Sequence, residues 1–334
     1  MKRVLRSLFV VGFIFMTAIW SPARAQNVSI AIGTVAPEGS LWHEVLVKMK
    51  QGWSKASDGK VTLRIFPGGT QGDEGDMLRK TRIGQLQGVA LSGAGLSQLD
   101  TSVSSLQIPM SLDSYQQLDY VRAKIEPKLE RAIEAKDFIV LNWSDVGWVH
   151  FFSKKQIRTP DELKSLRLFT SAGDPDTEAM YKEFGFRPVP TAVTDLLTSL
   201  QSGRIEALDV PPLFAMADQS FGTAKFMIDL KWAPLIGATI ISRSAWLKVP
   251  ENLRPELMKI ARKTGDEYRT RIRAMGDEAV TEMVKKGLTV TRLNAAEIAS
   301  WRAAAESAYP KMRGKLVPAD LFDEVIKLSK EFRP

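Results

Sequence analysis

The side chains that most often carry catalysis or bind metal ions are scarce in this sequence of 334 residues. It contains no cysteine and two histidines, His43 and His150, which are far apart and form neither the HxxxH nor the HExxH spacing of a zinc site. Without cysteine there is no thiol nucleophile and no soft metal site, and no GxSxG motif marks a nucleophilic serine. The sequence therefore predicts a protein that is not an enzyme and that uses no metal or other cofactor.

A glycine-rich stretch at residues 67–72 (PGGTQG) has some features of a phosphate-binding loop. It lacks the Gly-Lys-Ser/Thr ending of such a loop, and the acidic residues Asp73, Glu74 and Asp76 follow it directly. Carboxylates at the start of a helix already satisfy its positive end, and they would repel a phosphate. The stretch therefore predicts a turn that leads into a helix.

A second acidic group follows the apolar segment that contains Phe169. Asp174, Asp176 and Glu178 could serve as calcium ligands, but acidic residues are also what the first turn of a helix favours. Asp174 is typical of an N-cap, and Pro175 is typical of the first helical position. We expect a helix start here and not a metal site.

Aromatic side chains lie at the predicted ends of strands. Trp143, Trp148, Phe169 and Trp232 fall at strand starts or ends, and Trp42 lies near a helix start. Each of them alone is typical of ordinary core packing. As a set beside a cleft, they would form a broad apolar pocket with a few polar anchors.

The elements that carry these side chains alternate between strand and helix, which predicts an α/β fold with largely parallel sheets. The predicted strands cover residues 28–34, 60–66, 89–91, 138–143, 148–153 and 166–170. Predicted helices cover residues 41–53 and 114–135. Towards the C-terminus we expect one long helix over 251–286, a strand over 288–293, and helices over 295–308 and 318–332.

A short pattern occurs twice. Residues 84–89 (GQLQGV) and residues 203–208 (GRIEAL) each place a glycine at the end of a helix and lead into a strand. Two copies of one unit so far apart predict two similar α/β lobes, although glycines at helix ends are common in many folds.

The N-terminus predicts export. A basic start, an apolar run over residues 8–20 and the small residues Ala23 and Ala25 form the pattern of a secretory signal peptide, with cleavage after Ala25. The run is shorter than the ~20 residues that span a bilayer. We therefore expect a periplasmic protein that does not span the membrane after cleavage.

The charge of the chain argues against nucleic acid as a partner. The whole chain has a net charge of +8, and a net charge of +4 remains once the four basic residues of the signal peptide are removed. The remaining lysines and arginines are spread along the chain and form no basic blocks interleaved with aromatic residues.

Six segments in collinear order resemble one known family. They are AIGTVAPEGSLWH, KVTLRIFPGGTQGDEGDML, IGQLQ, SKKQIRTPDELKSLRL, PVPTAVTDLLTSLQSGRIEAL and WLKVPENLRPEL. The chain resembles the extracytoplasmic solute-binding proteins of tripartite ATP-independent periplasmic (TRAP) transporters over essentially its whole mature length. The resemblance implies a two-lobed periplasmic binding protein fold (type II-like) with hinge strands and a long helix spanning both lobes. It also implies a small organic solute as ligand and the membrane permease subunits as partners.

The chain departs from this family at four positions that the resemblance assigns to ligand binding. The arginine that pairs with the substrate carboxylate falls on Phe169, and a second arginine falls on Val149. The family's asparagine falls on Val210, and an acidic position falls on Ser92. Losing both arginines would leave a buried anion uncompensated, and phenylalanine offers an apolar wall instead.

Three interpretations of these departures remain open. The ligand has an apolar or aromatic part that faces Phe169; or an anion is held elsewhere, by His150, Arg243 or the backbone at the Asp174 helix start; or Phe169 fills the old subsite above a smaller ligand.

The resemblance and the pattern together predict the lobes and the site. We expect lobe one to comprise residues 26–147 and about 232–273, lobe two residues 148–231 and about 274–310, with a C-terminal helical segment over 311–334. The residues predicted to bind the ligand are Val35, Trp42, Ser92, Trp148, Val149, His150, Phe169, Val193, Asp209 and Val210. A binding protein that serves a sensor or receptor, and not transport, is the alternative function.

Overall fold

The computed structural model describes residues 27–333. The predicted signal peptide, with its cleavage site, lies outside the described residues.

The described residues form two β-sheets. The strands are β1 Val28–Thr34, β2 Val61–Phe66, β3 Gly88–Ser92, β4 Phe138–Trp148, β5 His150–Ser153, β6 Arg167–Ser171, β7 Arg187–Thr191, β8 Ala207–Val210, β9 Phe226–Ile228, β10 Pro234–Ser242 and β11 Thr289–Thr291. The first sheet has the order β2-β1-β3-β10-β4, and the second has the order β11-β9-β5-β8-β6-β7. The strands of each sheet run in one direction except β10 in the first sheet and β5 in the second, which are antiparallel to both of their neighbours.

Helices cover the sheets. They are α1 Leu41–Ala56, α2 Glu74–Arg82, α3 Gly93–Ser97, α4 Tyr115–Glu134, α5 Pro160–Lys164, α6 Pro175–Glu183, α7 Leu196–Gln201, α8 Pro212–Ala217, α9 Arg243–Trp246, α10 Arg254–Lys285, α11 Ala295–Met312 and α12 Ala319–Glu331. The predicted start of α6 is confirmed, since the Asp174 side chain accepts a hydrogen bond from the backbone N–H of Thr177 and Pro175 follows it. Asp73 caps α2 in the same way, through the N–H of Asp76.

Each sheet is buried on both faces, as parallel strands require. In the second sheet, for example, Phe151 and Leu168 face one core with Trp301 of α11. Their neighbours Phe152 and Phe169 face a second core. This alternation fixes which side chains of the strand ends can meet.

Two strands carry the chain between the sheets, and they pair with each other. β4 leads from the first sheet into β5 of the second, and β10 returns from the second. They are antiparallel from Phe138 opposite Ser242 to Trp148 opposite Pro234. Backbone hydrogen bonds between Val149 and Ala233 and between Trp232 and Val149 extend this pairing past the strand ends. The pair is the hinge.

The predicted break in this region is wrong. The sequence predicts strands over residues 138–143 and 148–153, but β4 continues through residues 144–147 to Trp148. Residues 144, 145 and 147 pair with β10, which is about 90 residues distant in sequence, and the turn-like composition of this stretch gives no sign of it.

The C-terminal helices connect the two halves. In α10, Leu257 and Ala261 lie in a core of the first sheet, whereas Met283 lies in a core of the second. In α11, Trp301 packs on the second sheet and Met312 on the first. The long helix predicted from the sequence is therefore confirmed. Within residues 27–333, no helix combines the length and the apolar character that crossing a membrane would require.

Candidate functional site

A cavity of about 280 Å³ lies between the two sheets, where the ends of their strands and the hinge meet. Its walls come from both halves: β1, α1 and β3 on one side, and β6, α6 and β8 on the other. Pockets for small ligands occupy roughly 300–1,000 Å³, and this volume, just below that range, suits a small solute.

Eight of the ten predicted ligand-binding residues line this cavity. They are Val35, Trp42, Ser92, Val149, Phe169, Val193, Asp209 and Val210. The structure does not bring Trp148 and His150 to it; both line a separate concavity behind the hinge, next to α10. Strand alternation explains the split, because Val149 points into the cleft and its two neighbours point the other way.

His150 and Trp148 have partners in their own surroundings. A ring nitrogen of His150, Nδ1, is 3.1 Å from the backbone oxygen of Ile228. Burial lowers the pKa of His150, so the ring is neutral near pH 7. The Trp148 ring lies against Tyr115, with ring centroids 5.7 Å apart, and Lys231 Nζ lies over it at 5.6 Å.

One wall of the cavity is apolar and aromatic. Phe169 is 7 % exposed and belongs to the core that contains Phe152 and Leu208, so it both packs and lines the cavity. The ring of Trp42 in α1 contacts that of Phe214 in α8, with centroids 6.2 Å apart and the rings tilted by 46°. The Trp42 indole N–H donates to the backbone oxygen of Asp145 in β4, which connects the cavity wall to the hinge.

The side of the cavity formed by the second sheet also holds a tyrosine–aspartate pair. Asp209 of β8 accepts a hydrogen bond of 2.9 Å from the Tyr181 hydroxyl through Oδ2. Burial raises the pKa of Asp209 to about 7, although the bond from Tyr181 lowers it. Burial and the nearby Asp209 carboxylate raise the pKa of Tyr181 well above its ordinary value, so its hydroxyl stays a donor. The Trp232 side chain is also hydrogen-bonded to Tyr181.

A second carboxylate of the cavity, Glu74, is held by its own neighbours. Its oxygens accept bonds of 2.5 Å from the Ser92 backbone N–H and 2.8 Å from the Ser92 hydroxyl, and Gly95 adds a backbone bond. Burial raises the pKa of Glu74, and the bonds from Ser92 oppose that shift. Glu74 therefore holds the start of α3.

A third carboxylate, Asp174, caps α6 at the cavity edge. It accepts from the Thr177 hydroxyl at 2.8 Å as well as from the Thr177 N–H.

Two buried polar atoms of other lining residues, Thr170 Oγ1 and Asn142 Oδ1, have no partner within the described chain.

No lysine, arginine or histidine is among the lining residues, all of which lie within residues 27–333. Arg243, one of the expected anion holders, instead lies 3.5 Å from Asp137 and donates to the backbone oxygen of Glu134. Arg167, although in β6, donates to the backbone oxygens of Gly203 and Arg204. Of the anion holders considered from the sequence, only the start of α6 lies at the cavity.

Glu74, Tyr181, Phe214 and Trp232 are among the lining residues that were not in the predicted set. The sequence did indicate Trp232, as one of the aromatic residues at predicted strand starts or ends. Tyr181 lies seven residues beyond the N-cap Asp174, so two helical turns place it on the same face. Glu74 was predicted only as a residue at the start of a helix. Its hydrogen bond with Ser92, 18 positions away in sequence, could not be predicted from the local pattern.

The two halves touch at the mouth of the cleft. A Cβ placed on Gly173, in the turn before α6, would lie 2.4 Å from Gln98 Nε2 in the first half. A Cβ placed on Gly69 would lie 2.4 Å from Thr194 Cγ2 in the second half. Glycine at these two positions permits a close approach of the lobes.

Comparison with known proteins gives a consistent result. A profile of the family described as bacterial extracellular solute-binding protein, family 7, matches residues 32–315. A solute-binding protein of Roseobacter denitrificans is 26% identical over 309 residues, covering 86% of this chain and 88% of the relative. The 2,3-diketo-L-gulonate-binding periplasmic protein of Escherichia coli is 23% identical and covers 87% and 88%.

Among solved structures, a TRAP periplasmic solute-binding protein from Ralstonia eutropha with bound (S)-2-acetolactate has a TM-score of 0.85 at 18% identity. That similarity covers 91% of this chain and 99% of the other. It shows a common two-lobed fold.

Proposed function

Because the chain belongs to bacterial extracellular solute-binding protein family 7, we propose that it captures a small organic solute between its lobes. It then delivers this solute to the membrane permease of a TRAP transporter. The observation that carries this proposal is the cavity, which is walled by both sheets and lies against the hinge strands. A cavity so placed couples ligand binding to lobe closure.

The proposal includes export and lobe assignment. We infer that the signal peptide is removed after Ala25 and that the mature protein works in the periplasm, as members of the family do. Residues 26–147 and about 232–273 form lobe one in this proposal, residues 148–231 and about 274–310 form lobe two, and residues 311–334 form a C-terminal helical segment. The sheet memberships of β1 to β10 support this division.

We further propose that the solute has an apolar or aromatic part. The Escherichia coli relative binds 2,3-diketo-L-gulonate, and the Ralstonia eutropha protein has (S)-2-acetolactate bound in its structure. The resemblance assigns the family's carboxylate-binding arginines to Phe169 and Val149, both of which line the cavity here. An apolar wall favours an apolar ligand surface, because its burial contributes about 25 cal/mol per Å².

A ligand screen by differential scanning fluorimetry tests the proposal. The mature protein is unfolded, stripped of ligand and refolded, and then exposed to aromatic and branched apolar solutes and to small dicarboxylates. A ligand at a hundred times its dissociation constant adds about 2.7 kcal/mol to the free energy of unfolding. Stabilisation by apolar or aromatic solutes is the expected result.

Two other results would contradict parts of the proposal. Stabilisation by succinate or malate alone would mean that the carboxylate site has been rebuilt from other groups. If no solute of any class stabilises the protein, solute capture itself is wrong. Uptake of a confirmed ligand into vesicles that contain the permease tests delivery, and its failure would favour a sensor or receptor as partner.

A further inference from the structure

We propose that the solute is an organic cation, whose protonated amine is held by the Asp209 carboxylate and whose apolar body lies against the aromatic wall of the cavity. This inference rests on the proposed function and narrows it to one charge class of solute.

The charged groups of the cavity have a single sign. Three carboxyl groups, those of Glu74, Asp174 and Asp209, are among its lining residues, and no cationic side chain is. An anion would enter a partly desolvated space with no cationic side chain to compensate its charge, and this is unfavourable. A cation is the complementary charge for such a space.

Asp209 is the carboxylate with capacity left for a ligand. Glu74 already accepts three hydrogen bonds, two from Ser92 and one from Gly95. Asp174 holds the first turn of α6 through Thr177. Asp209 is half-buried, accepts from Tyr181 through Oδ2, and caps no helix. A carboxylate offers about four acceptor positions, so an ammonium group can share it with the tyrosine.

The aromatic side chains of the cavity suit the same ligand. Trp42, Phe169, Phe214, Tyr181 and Trp232 all line it. The faces of such rings carry partial negative charge and attract alkylammonium groups, and tryptophan does so most strongly. Rings and a carboxylate around one small cavity therefore provide both the charge and the apolar surface for an amine.

Burial is the main influence on the protonation of Asp209, and few titratable neighbours act on it. Tyr181 and Asp174, both at α6, are the titratable groups that act on it, and β5 places the apolar Phe151 opposite it. With a pKa of about 7, the empty site is partly protonated at neutral pH. A bound ammonium stabilises the ionised form, so its binding releases a proton. A bound carboxylate would favour the protonated form and take up a proton.

Matched ligands provide the test. Isothermal titration compares 2-phenylethylamine, 2-phenylethanol and 3-phenylpropanoate, and the cyclohexyl analogues of all three, with the mature protein. We expect both amines to bind at least about tenfold more tightly than their alcohols and carboxylates. Between pH 6 and pH 8 the affinity for the amines should rise by up to about tenfold, as Asp209 ionises.

Two variants assign the effect to the carboxylate. Asp209→Asn should lower amine affinity by at least about tenfold and leave the affinity for the alcohols nearly unchanged. Asp218→Asn is the matched control, since Asp218 is also partly buried, accepts from Ser220 and does not line the cavity. It should leave amine affinity unchanged.

The other outcomes are decisive as well. Tighter binding of the carboxylates, or amine affinity that falls with rising pH, would overturn the cation inference while the proposed capture of a solute stands. Preference for the alcohols would overturn it in the same way. If none of the six compounds binds and the screen above is also empty, the proposed function fails together with this inference.

Discussion

The Tyr181 hydroxyl lies 2.9 Å from Asp209 Oδ2, and both residues line the cleft between the lobes. Tyr181 comes from α6 and Asp209 from β8, so the bond joins two elements of the same wall. Because Tyr181 is a donor here, the carboxylate is oriented before any ligand arrives. Orienting a polar group in advance lowers the cost of binding.

This pair makes stability depend on pH. The pKa of Asp209 is about 7 in the folded protein and roughly 3.9 in an unfolded chain. Above pH ~4 the folded state therefore holds more protons than the unfolded state, and the free energy of unfolding falls until the pH passes about 7. Asp209→Asn removes this fall in the free energy of unfolding, because asparagine does not ionise. We expect the variant to gain on the order of 2 kcal/mol relative to wild type between pH 5 and pH 8.

Urea titrations of the ligand-free proteins at pH 5 and pH 8 measure this difference. Asp161→Asn, at a position where the side chain is 86% exposed, is the control. A constant difference between Asp209→Asn and wild type across this range would show that Asp209 is ionised throughout.

Phe169 should contribute to affinity beyond its role in the core. Phe169→Leu removes part of the aromatic wall, and we expect a loss of roughly tenfold in affinity for an aromatic ligand. The free energy of unfolding should also fall by about 1–2 kcal/mol, because the side chain is buried.

Phe152→Leu separates the two effects. Phe152 packs in the same core but does not line the cavity. It should destabilise the protein to a similar degree while ligand affinity, measured by isothermal titration, is unchanged. Equal affinity losses in both variants would mean that Phe169 acts only through the core.

Closure of the lobes should depend on Gly173. A valine there would meet the amide end of Gln98 at the mouth of the cleft, and this flexible side chain must then move aside for the lobes to close. We therefore expect Gly173→Val to shift the lobes towards the open state and to weaken ligand binding. Small-angle X-ray scattering with saturating ligand should show a larger radius of gyration than for wild type. Gly222→Val is the control, since a Cβ on Gly222 meets no atom within 4 Å. Wild-type affinity in Gly173→Val would place the closing contact elsewhere.

A buried ion pair fixes the hinge strand to α4. Arg122 Nη2 lies 2.5 Å from Asp145 Oδ1, and their side chains are 3% and 1% exposed. Arg273 of α10 contacts the other oxygen at 2.5 Å. Arg122→Met should lower the free energy of unfolding by about 3 kcal/mol, because a buried carboxylate loses a partner.

Arg79→Met is the comparison for that measurement, because the Arg79–Asp76 pair is exposed. Its effect should stay within about 0.5 kcal/mol in the same urea titration. If Arg122→Met leaves the free energy of unfolding unchanged or raises it, Asp145 and Arg273 form a stable pair without Arg122.

The sequence predicts best those features that depend on neighbouring residues. The repeated glycines are an example: Gly84 and Gly203 both adopt positive φ, at 79° and 78°, and lead into β3 and β8 of the two sheets. The periodicity of α10 and the cap of α6 are also local, and both were predicted. Cavity-facing residues such as Val35 and Val193 were placed through collinear resemblance to a family.

Features that depend on distant partners were beyond sequence reasoning. Trp148 and His150 were predicted to line the cleft, but the pairing of β4 with β10 and of β5 with β8 sets which side each faces. The bond between Glu74 and Ser92 likewise depends on how α2 packs against β3, which no local pattern encodes. Arg243 could be removed from the candidates only when its contact with Asp137 was known.

The path of the chain between the sheets has a consequence for dissecting the protein. The chain leaves the first sheet after β4, returns with β10, passes to β11 along α10, and comes back through α11 to α12. No contiguous gene fragment therefore encodes a complete lobe, and a protease nick anywhere in this path leaves each piece with an unfinished core. The two lobes should consequently melt together, as a single calorimetric peak.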